Sequence, residues 1–364
     1  MSTRSFSVTV RAEGTNLPLL AKVCINLTCQ GTGSNGRARL EGISVDAHQV
    51  QLTVIAEGHL PYSESVMIDP LPLTPPFVDV EWPDLYLPPA APQTLRISGD
   101  RFLLGAQQWK WKGATAFDIP EQIRRGVDVR PRLRQMQDTG ANIVRVLSMK
   151  KLKDDGGGWQ LLPSESGPDL VRRVGDLLGP LGMYGQYVQL VDTKRLMAVT
   201  KLQQDYVARN RAAMLAYPHL LEELANERDH TTQTINLQAF TRPTGILSSV
   251  GSMTADRQPG PPWWDYASYS GRRTPAPFSP KPANNLSPMV FRDGDTLPLP
   301  CPMICNESVK PQDYGFHPGY AELMGKSAGI VTGGTFHSSA WETHRLWTPQ
   351  EVACAVAFYR GIGG

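Results

Sequence analysis

Cysteine is scarce: Cys24, Cys29, Cys301, Cys305 and Cys354 make an odd set of five in 364 residues. They lack the dense, even spacing of a disulfide-stapled secreted domain, so free thiols are expected. Cys301 and Cys305 stand in a C-x3-C arrangement, yet no second Cys or His pair lies near enough to complete a tetrahedral zinc site, and no metal is expected. No apolar run approaches the roughly 20 residues that span a bilayer. The start, Met-Ser-Thr-Arg-Ser-Phe-Ser-Val-Thr-Val, lacks the apolar core of a signal peptide, so a soluble chain without a membrane partner or export address is expected. Charge imbalance is missing as well, since 36 basic against 34 acidic residues leave a net charge of +2, which gives no electrostatic basis for binding nucleic acid. There is no Gly-x-Ser-x-Gly elbow, and His317, His337 and His344 fall at no recognised metal spacing.

What the chain does carry is a pair of glutamates in similar settings. Leu-Ala-Asn226-Glu227 and Met-Ile-Cys-Asn306-Glu307-Ser each end an apolar run with a glutamate, 80 residues apart. Two such residues at the carboxyl ends of parallel strands suit glycosidic bond cleavage, which needs one carboxylic acid to protonate the leaving oxygen and one carboxylate to meet the oxocarbenium-like carbon. A separation of about 5 to 5.5 Å makes the second a nucleophile and retains configuration; about 6.5 to 9.5 Å admits a water and inverts it. No organic cofactor is called for. The run Leu220 to Asp229 also fits the end of an amphipathic helix with Glu222, Glu223 and Glu227 as a solvated face, and Asn306-Glu307-Ser308 also fits a surface turn.

Residues 1–92 read as all-β, with strands at Ser5 to Val10, Lys22 to Leu27, Ala38 to Leu40 and Val50 to Ala56, which predicts a small sandwich. The proline-rich passage Pro70 to Pro92 resists helix and central strand and marks a domain boundary. Beyond it, residues 93–364 alternate strands and helices. Leu95 to Ser98 and Arg101 to Leu104 read as a hairpin around Gly99-Asp100. The strands expected after it are Phe102 to Gln107, Ala141 to Leu147, Met183 to Leu190, Leu220 to Ala225, Gly245 to Val250, Asp265 to Tyr269, Met303 to Cys305 and Ile330 to Phe336. Eight strands predict a (β/α)8 TIM barrel, with helices at Arg130 to Asp138, from Pro168, and at Thr348 to Tyr359, and with no convincing helices between Gly251 and Pro302.

On these residues the second region resembles the catalytic barrels of glycoside hydrolase clan A, the cellulase and mannanase group. The sandwich resembles transthyretin-like or carboxypeptidase-regulatory-like modules through Pro18 to Cys24, Gly36 to Gly42 and Gln51 to Gly58. The clan resemblance implies that Glu227 is the acid/base, that Glu307 is the nucleophile and that Asn226 contacts the sugar 2-hydroxyl. It implies further that Arg145 sits beneath the nucleophile and keeps it ionised, that Tyr269 hydrogen-bonds it and that Trp341 floors the sugar subsite. His337 is expected as a hydrogen-bond donor at that site, and Trp109 as one of several tryptophans offering a face to sugar rings. The chain departs from the clan in carrying Arg228 where Pro is common, in Pro300 and Pro302 before Glu307, and in a third strand, Gln186 to Asp192, without histidine. The expected substrate is an oligo- or polysaccharide. The alternative is a non-catalytic carbohydrate-binding or adhesin-like protein on a glycosidase-derived barrel. Oligomeric state is not legible.

Overall fold

The computed structural model describes residues 3–12, 18, 21–26, 28–44, 49–56, 62–67, 79–81, 85–87, 93–153, 156, 158–228, 230–252, 265–269, 301–330 and 332–363. The chain divides into two compact units, one built on residues 1–91 and the other on residues 92–364 apart from the turn 180–182.

In the first unit, β1 (Thr3–Ala12) pairs antiparallel with β4 (Arg37–Ser44), while β2 (Ala21–Ile25) joins β3 (Thr28–Gly31) and β5 (Gln49–Ala56), and β5 pairs β6 (Tyr62–Met67). Alternate residues of the two sheets, among them Phe6, Val8 and Leu40 from one and Val23, Ile25, Leu52 and Val54 from the other, bury into one core, which makes a sandwich. Of the Pro70 to Pro92 passage, only residues 79–81 and 85–87 are among the described residues. Its segments β7 (Asp79–Glu81) and β8 (Leu85–Leu87) both run parallel to β1, with the prolines flanking the strands rather than interrupting them. The expectation of free thiols also fails at one pair. Cys24 and Cys29 sit directly opposite each other across the β2–β3 hairpin and are bonded, while Cys301, Cys305 and Cys354 remain thiols.

The second unit is an α/β barrel of parallel strands: β12 (Trp111–Thr115), β13 (Ile143–Leu147), β14 (Tyr184–Leu190), β15 (Leu220–Ala225), β16 (Ser248–Ser249) with β17 (Gly251–Ser252), β18 (Ala267–Tyr269), β19 (Met303–Val309) and β20 (Gly333–Phe336). The fifth strand is broken at Val250: β16 pairs the fourth strand and β17 the sixth, and β20 pairs β12 to complete the ring of eight. Outer helices are α1 (Ile119–Arg124), α2 (Arg130–Asp138), α3 (Pro168–Leu178), α4 (Thr193–Leu196), α5 (Thr200–Met214), α6 (Pro318–Ile330) and α7 (Pro349–Ile362). The expected strand at Ile330 begins later, at Gly333, because α6 runs through Ile330. Most of the segment between Gly251 and Pro302, where outer helices were expected to be lost, lies outside the described residues.

The first barrel strand is β12, not Phe102 to Gln107. That stretch belongs to an antiparallel sheet, β9 (Arg96–Ser98), β10 (Arg101–Leu104) and β11 (Gln107–Trp109). Phe102 and Trp109 from this sheet, with Leu95 just before it, pack on Trp111, Ile143, Tyr184, Leu221, Tyr266 and Ile304, which lie at or near the starts of six barrel strands. The sheet therefore plugs the amino-terminal end of the barrel with aromatic rings 5.2 to 5.9 Å apart.

Candidate active site

Above the plug, the next inward positions are polar. Strand alternation turns Arg145, Gln186, Glu223, Ser268, Asn306 and Thr335 into the barrel, and all are buried. Arg145 holds Glu223 in a bidentate pair, Nε to Oε2 at 2.8 Å and Nη2 to Oε1 at 2.7 Å, and the same Nη2 donates to Asn226 Oδ1 at 2.7 Å. Asn306 Nδ2 donates to Glu223 Oε2 at 3.0 Å and to Ser268 Oγ at 2.8 Å. Complete burial pushes the Glu223 carboxyl up against the pull of Arg145, and the nearby Glu227 adds to the rise. The neighbouring Glu222 points the other way, out of the barrel, where Arg211 of α5 grips both its oxygens at 2.7 and 2.8 Å and Ser248 Oγ donates at 2.6 Å.

This corrects the helical alternative for Leu220 to Asp229. Leu220–Ala225 is a buried strand, and Glu222 and Glu223 are interior ion-pair partners on its opposite faces. At its carboxyl end Asn226 is fixed through its backbone, its N–H donating to the Leu190 carbonyl at 2.9 Å and its carbonyl accepting from Gln233 Nε2 at 2.6 Å. Glu227, partly exposed, turns with φ +46°. The fifth strand approaches so closely that a Cβ on Gly251 would lie 2.2 Å from Glu223 Oε1 and 2.5 Å from the Ala225 carbonyl oxygen, so only glycine fits there. Gly251 in turn accepts from Arg228 N–H at 2.9 Å, which ties the Glu227 turn to that strand.

No family model matches the sequence, and no curated protein matches it. Solved structures do resemble it. A beta-glucanase from Saccharophagus degradans, in complex with cellotetraose, aligns with 74% of this chain and 94% of its own at 12% identity and a TM-score of 0.52. A family 5 glycoside hydrolase from Bacteroides vulgatus aligns with 67% of this chain at 13% identity and a TM-score of 0.45, and the present chain covers 62% of its length. A family 2 beta-galacturonidase from Eisenbergiella tayi, bound to galacturonate, aligns with 95% of this chain and 68% of its own at 10% identity and a TM-score of 0.45. The fold shared with the glucanase is the eight-stranded α/β barrel.

Within this barrel the residues singled out from sequence separate into four groups. Arg145, Asn226 and Glu227 come together at the carboxyl end of the second and fourth strands, with the guanidinium engaging Glu223 and Asn226. Glu307 lies on β19 and Tyr269 ends β18, so both backbones belong to the same barrel wall, while their side chains lie outside the described residues. Around Glu307 the ladder slips: between Cys305 and Val309 four residues of β19 advance against two of β20, an irregularity of the kind found at barrel rims. His337 and Trp341 follow the eighth strand and pack with Phe117, which lies 5.0 Å from the Trp341 ring and carries the Arg145 guanidinium 5.2 Å from its own centre. Trp109 is removed from this group. It is buried in the plug at the opposite end of the barrel, against Phe102, Trp111 and Tyr184, because β11 closes the floor rather than entering the rim.

Glu223, Ser268 and Asn306 were not foreseen. The signal for Glu223 was the alternation along Leu220–Ala225, which puts it on the same face as Leu221 and Ala225 in the strand that leads to Asn226-Glu227. Among the described residues no group of three or more His, Cys, Asp or Glu could hold a metal ion, and no helix is long and apolar enough to cross a membrane.

Proposed function

We propose that the chain is a retaining glycoside hydrolase of β-linked glycans. One observation carries this reading: Asn226-Glu227 closes the fourth barrel strand and Glu307 lies on the seventh, both toward the carboxyl ends where α/β barrels assemble their chemistry. Glu227 donates its proton to the glycosidic oxygen while a Glu307 carboxylate attacks the anomeric carbon, forming a glycosyl ester and releasing the alcohol. Glu227, now ionised, takes a proton from water, which displaces the ester and restores both groups. Arg145 holds the Asn226 oxygen, leaving the Asn226 amide Nδ2 as a donor for the sugar 2-hydroxyl. Trp341 and His337 supply the aromatic and polar wall beside it.

The cellotetraose complex of the glucanase makes a β-linked glucan the first substrate to try. Incubation with 2-deoxy-2-fluoro glycosyl fluorides is expected to leave a mass adduct on Glu307. Glu227→Gln and Glu307→Gln should each lower turnover by about 10³-fold, in the range of an acid/base contribution or more, with an unchanged circular dichroism spectrum. Substantial turnover by either variant rejects the assignment. Oligosaccharide binding with no turnover on any glycan would favour the non-catalytic alternative.

A further inference from the structure

Lys150, Trp159 and Trp341 form a cluster beyond the carboxyl end of the second barrel strand. Lys150 follows β13 by three residues, and a reciprocal pair of backbone bonds to Leu161, both 2.9 Å, pins it there. Only 8% of Lys150 is exposed, and Trp159 and Trp341 are 3% and 8% exposed. The ammonium lies 4.9 Å from the centre of the Trp159 ring and 5.5 Å from that of Trp341, and it donates to the Trp159 carbonyl at 3.3 Å. Both indole Nε1 groups are buried without an acceptor among the described residues.

The unmet hydrogen-bonding capacity of this cluster is therefore of one kind. An ammonium has three donors, an indole one, and neither accepts. Among the described residues the acidic groups that act on Lys150 through space are Asp192 and Glu342, and Glu342 is itself paired with Lys153 at 3.3 Å. Burial, with Lys153 adding to it, pushes the Lys150 ammonium down from its ordinary range, as expected of a cation held between ring faces rather than by a carboxylate. Ring faces offset part of the cost of burying the charge but provide no acceptor. A sugar hydroxyl would bring a donor along with its acceptor and no charge. A carboxylate or sulfate brings only acceptors and the opposite charge, and apolar walls leave that attraction poorly screened. The cluster also adjoins the candidate active site, because Trp341 meets Phe117 and Phe117 meets Arg145.

We propose that Lys150, Trp159 and Trp341 form an anion subsite that binds the carboxylate or sulfate of an acidic sugar, so that the preferred substrate is an anionic glycan. This assignment rests on the glycosidase reading above and narrows its substrate class. Lysine, as a point charge, suits either anion, whereas a guanidinium would favour the planar carboxylate.

The test uses the full chain carrying Glu227→Gln, so that bound sugar is not consumed. A tetrasaccharide of β-1,4-linked mannuronate, a sulfated carrageenan tetrasaccharide and cellotetraose are titrated, with tryptophan fluorescence and calorimetry as readouts. One of the two anionic sugars is expected to bind at least tenfold more tightly than cellotetraose, and which one does so names the anion. Adding Lys150→Met or Lys150→Gln should remove that margin, and Lys150→Arg should keep most of it, with thermal melting showing that each variant is folded. The subsite is overturned if cellotetraose binds as well as both anionic sugars, if none of the three binds, or if the margin survives loss of the ammonium. Turnover is scored separately on the chain with Glu227 intact. Anion-dependent binding without turnover keeps the subsite and removes the hydrolase, while turnover of neutral glycans without anionic preference does the reverse.

Discussion

Glu227 adopts a left-handed backbone, φ +46°, that L-residues other than Asn and Asp seldom take. Such a residue persists only where its surroundings over-determine it, at a cost on the order of 1 kcal/mol or more. Here the determinants are the Asn226 clamp and the Arg228 bond to Gly251. Glu227→Gly is therefore expected to be more stable than Glu227→Ala by about 1 kcal/mol in urea unfolding, although both lack the carboxyl. Equal stabilities would mean that the turn does not carry this strain. At this scale Asn226-Glu227 was legible because an apolar run stops at it. Glu223 was not, since its meaning depends on Arg145, 78 residues away in sequence and 2.7 Å away in space. The Lys150 cage is hidden in the same way, with one wall from Trp159 and the other from Trp341.

Between elements, the last helix is anchored at its start. Thr348 caps α7, its side chain accepting from Glu351 N–H while Glu351 accepts from Thr348 N–H. The Glu351 carboxylate also takes Ser338 Oγ at 2.6 Å, Gln312 Nε2 at 3.1 Å and both ends of the Arg345 fork. Burial works to raise this carboxyl, but the bonds from Arg345, Ser338 and Thr348 outweigh it and hold it below its ordinary range. A depressed carboxyl contributes stability that is complete above its unfolded pKa, about 4.3, and is lost as pH falls through its folded value. Glu351→Gln should thus cost about 2 kcal/mol near neutral pH, with the gap to the parent chain closing in urea titrations below about pH 4. A gap independent of pH would put the effect in packing instead. The cap was legible as Thr-Pro-Gln-Glu. The first barrel strand was not: Trp-Lys-Gly-Ala-Thr looks unlike a buried strand, whereas Phe102 to Leu104 looks like one. Gly113 is needed because a Cβ there would lie 2.4 Å from Thr335 Oγ1 and 2.6 Å from Trp111 Nε1, a constraint set by a strand more than 200 residues away.

For the barrel as a whole, the plug is structural. Leu95, Phe102 and Trp109 each bury enough apolar surface to contribute roughly 1.5 to 3 kcal/mol, and their sum is comparable to the roughly 5 to 15 kcal/mol by which a domain is stable. A chain begun at Pro92 is expected to unfold cooperatively on heating, and one begun at Lys110 to show no such transition. Persistence of a cooperative transition in the shorter chain would make the plug dispensable. Seven of the eight barrel strands were legible from spacing, while the plug was not, because its residues form strands as good as any in the barrel and only their long-range partners distinguish them.

The broken fifth strand has its own consequence. Parallel strands in a closed ring expose no edge, and among the described residues this ring is completed through two residue pairs on one side of Val250 and two on the other. If those four rungs part, the barrel becomes an open sheet whose free borders are the fourth and sixth strands, both with unpaired backbone groups able to template another chain. The seam beside Glu223, which closes only because Gly251 carries no side chain, is thus also where a parting of the strands would uncover backbone edges.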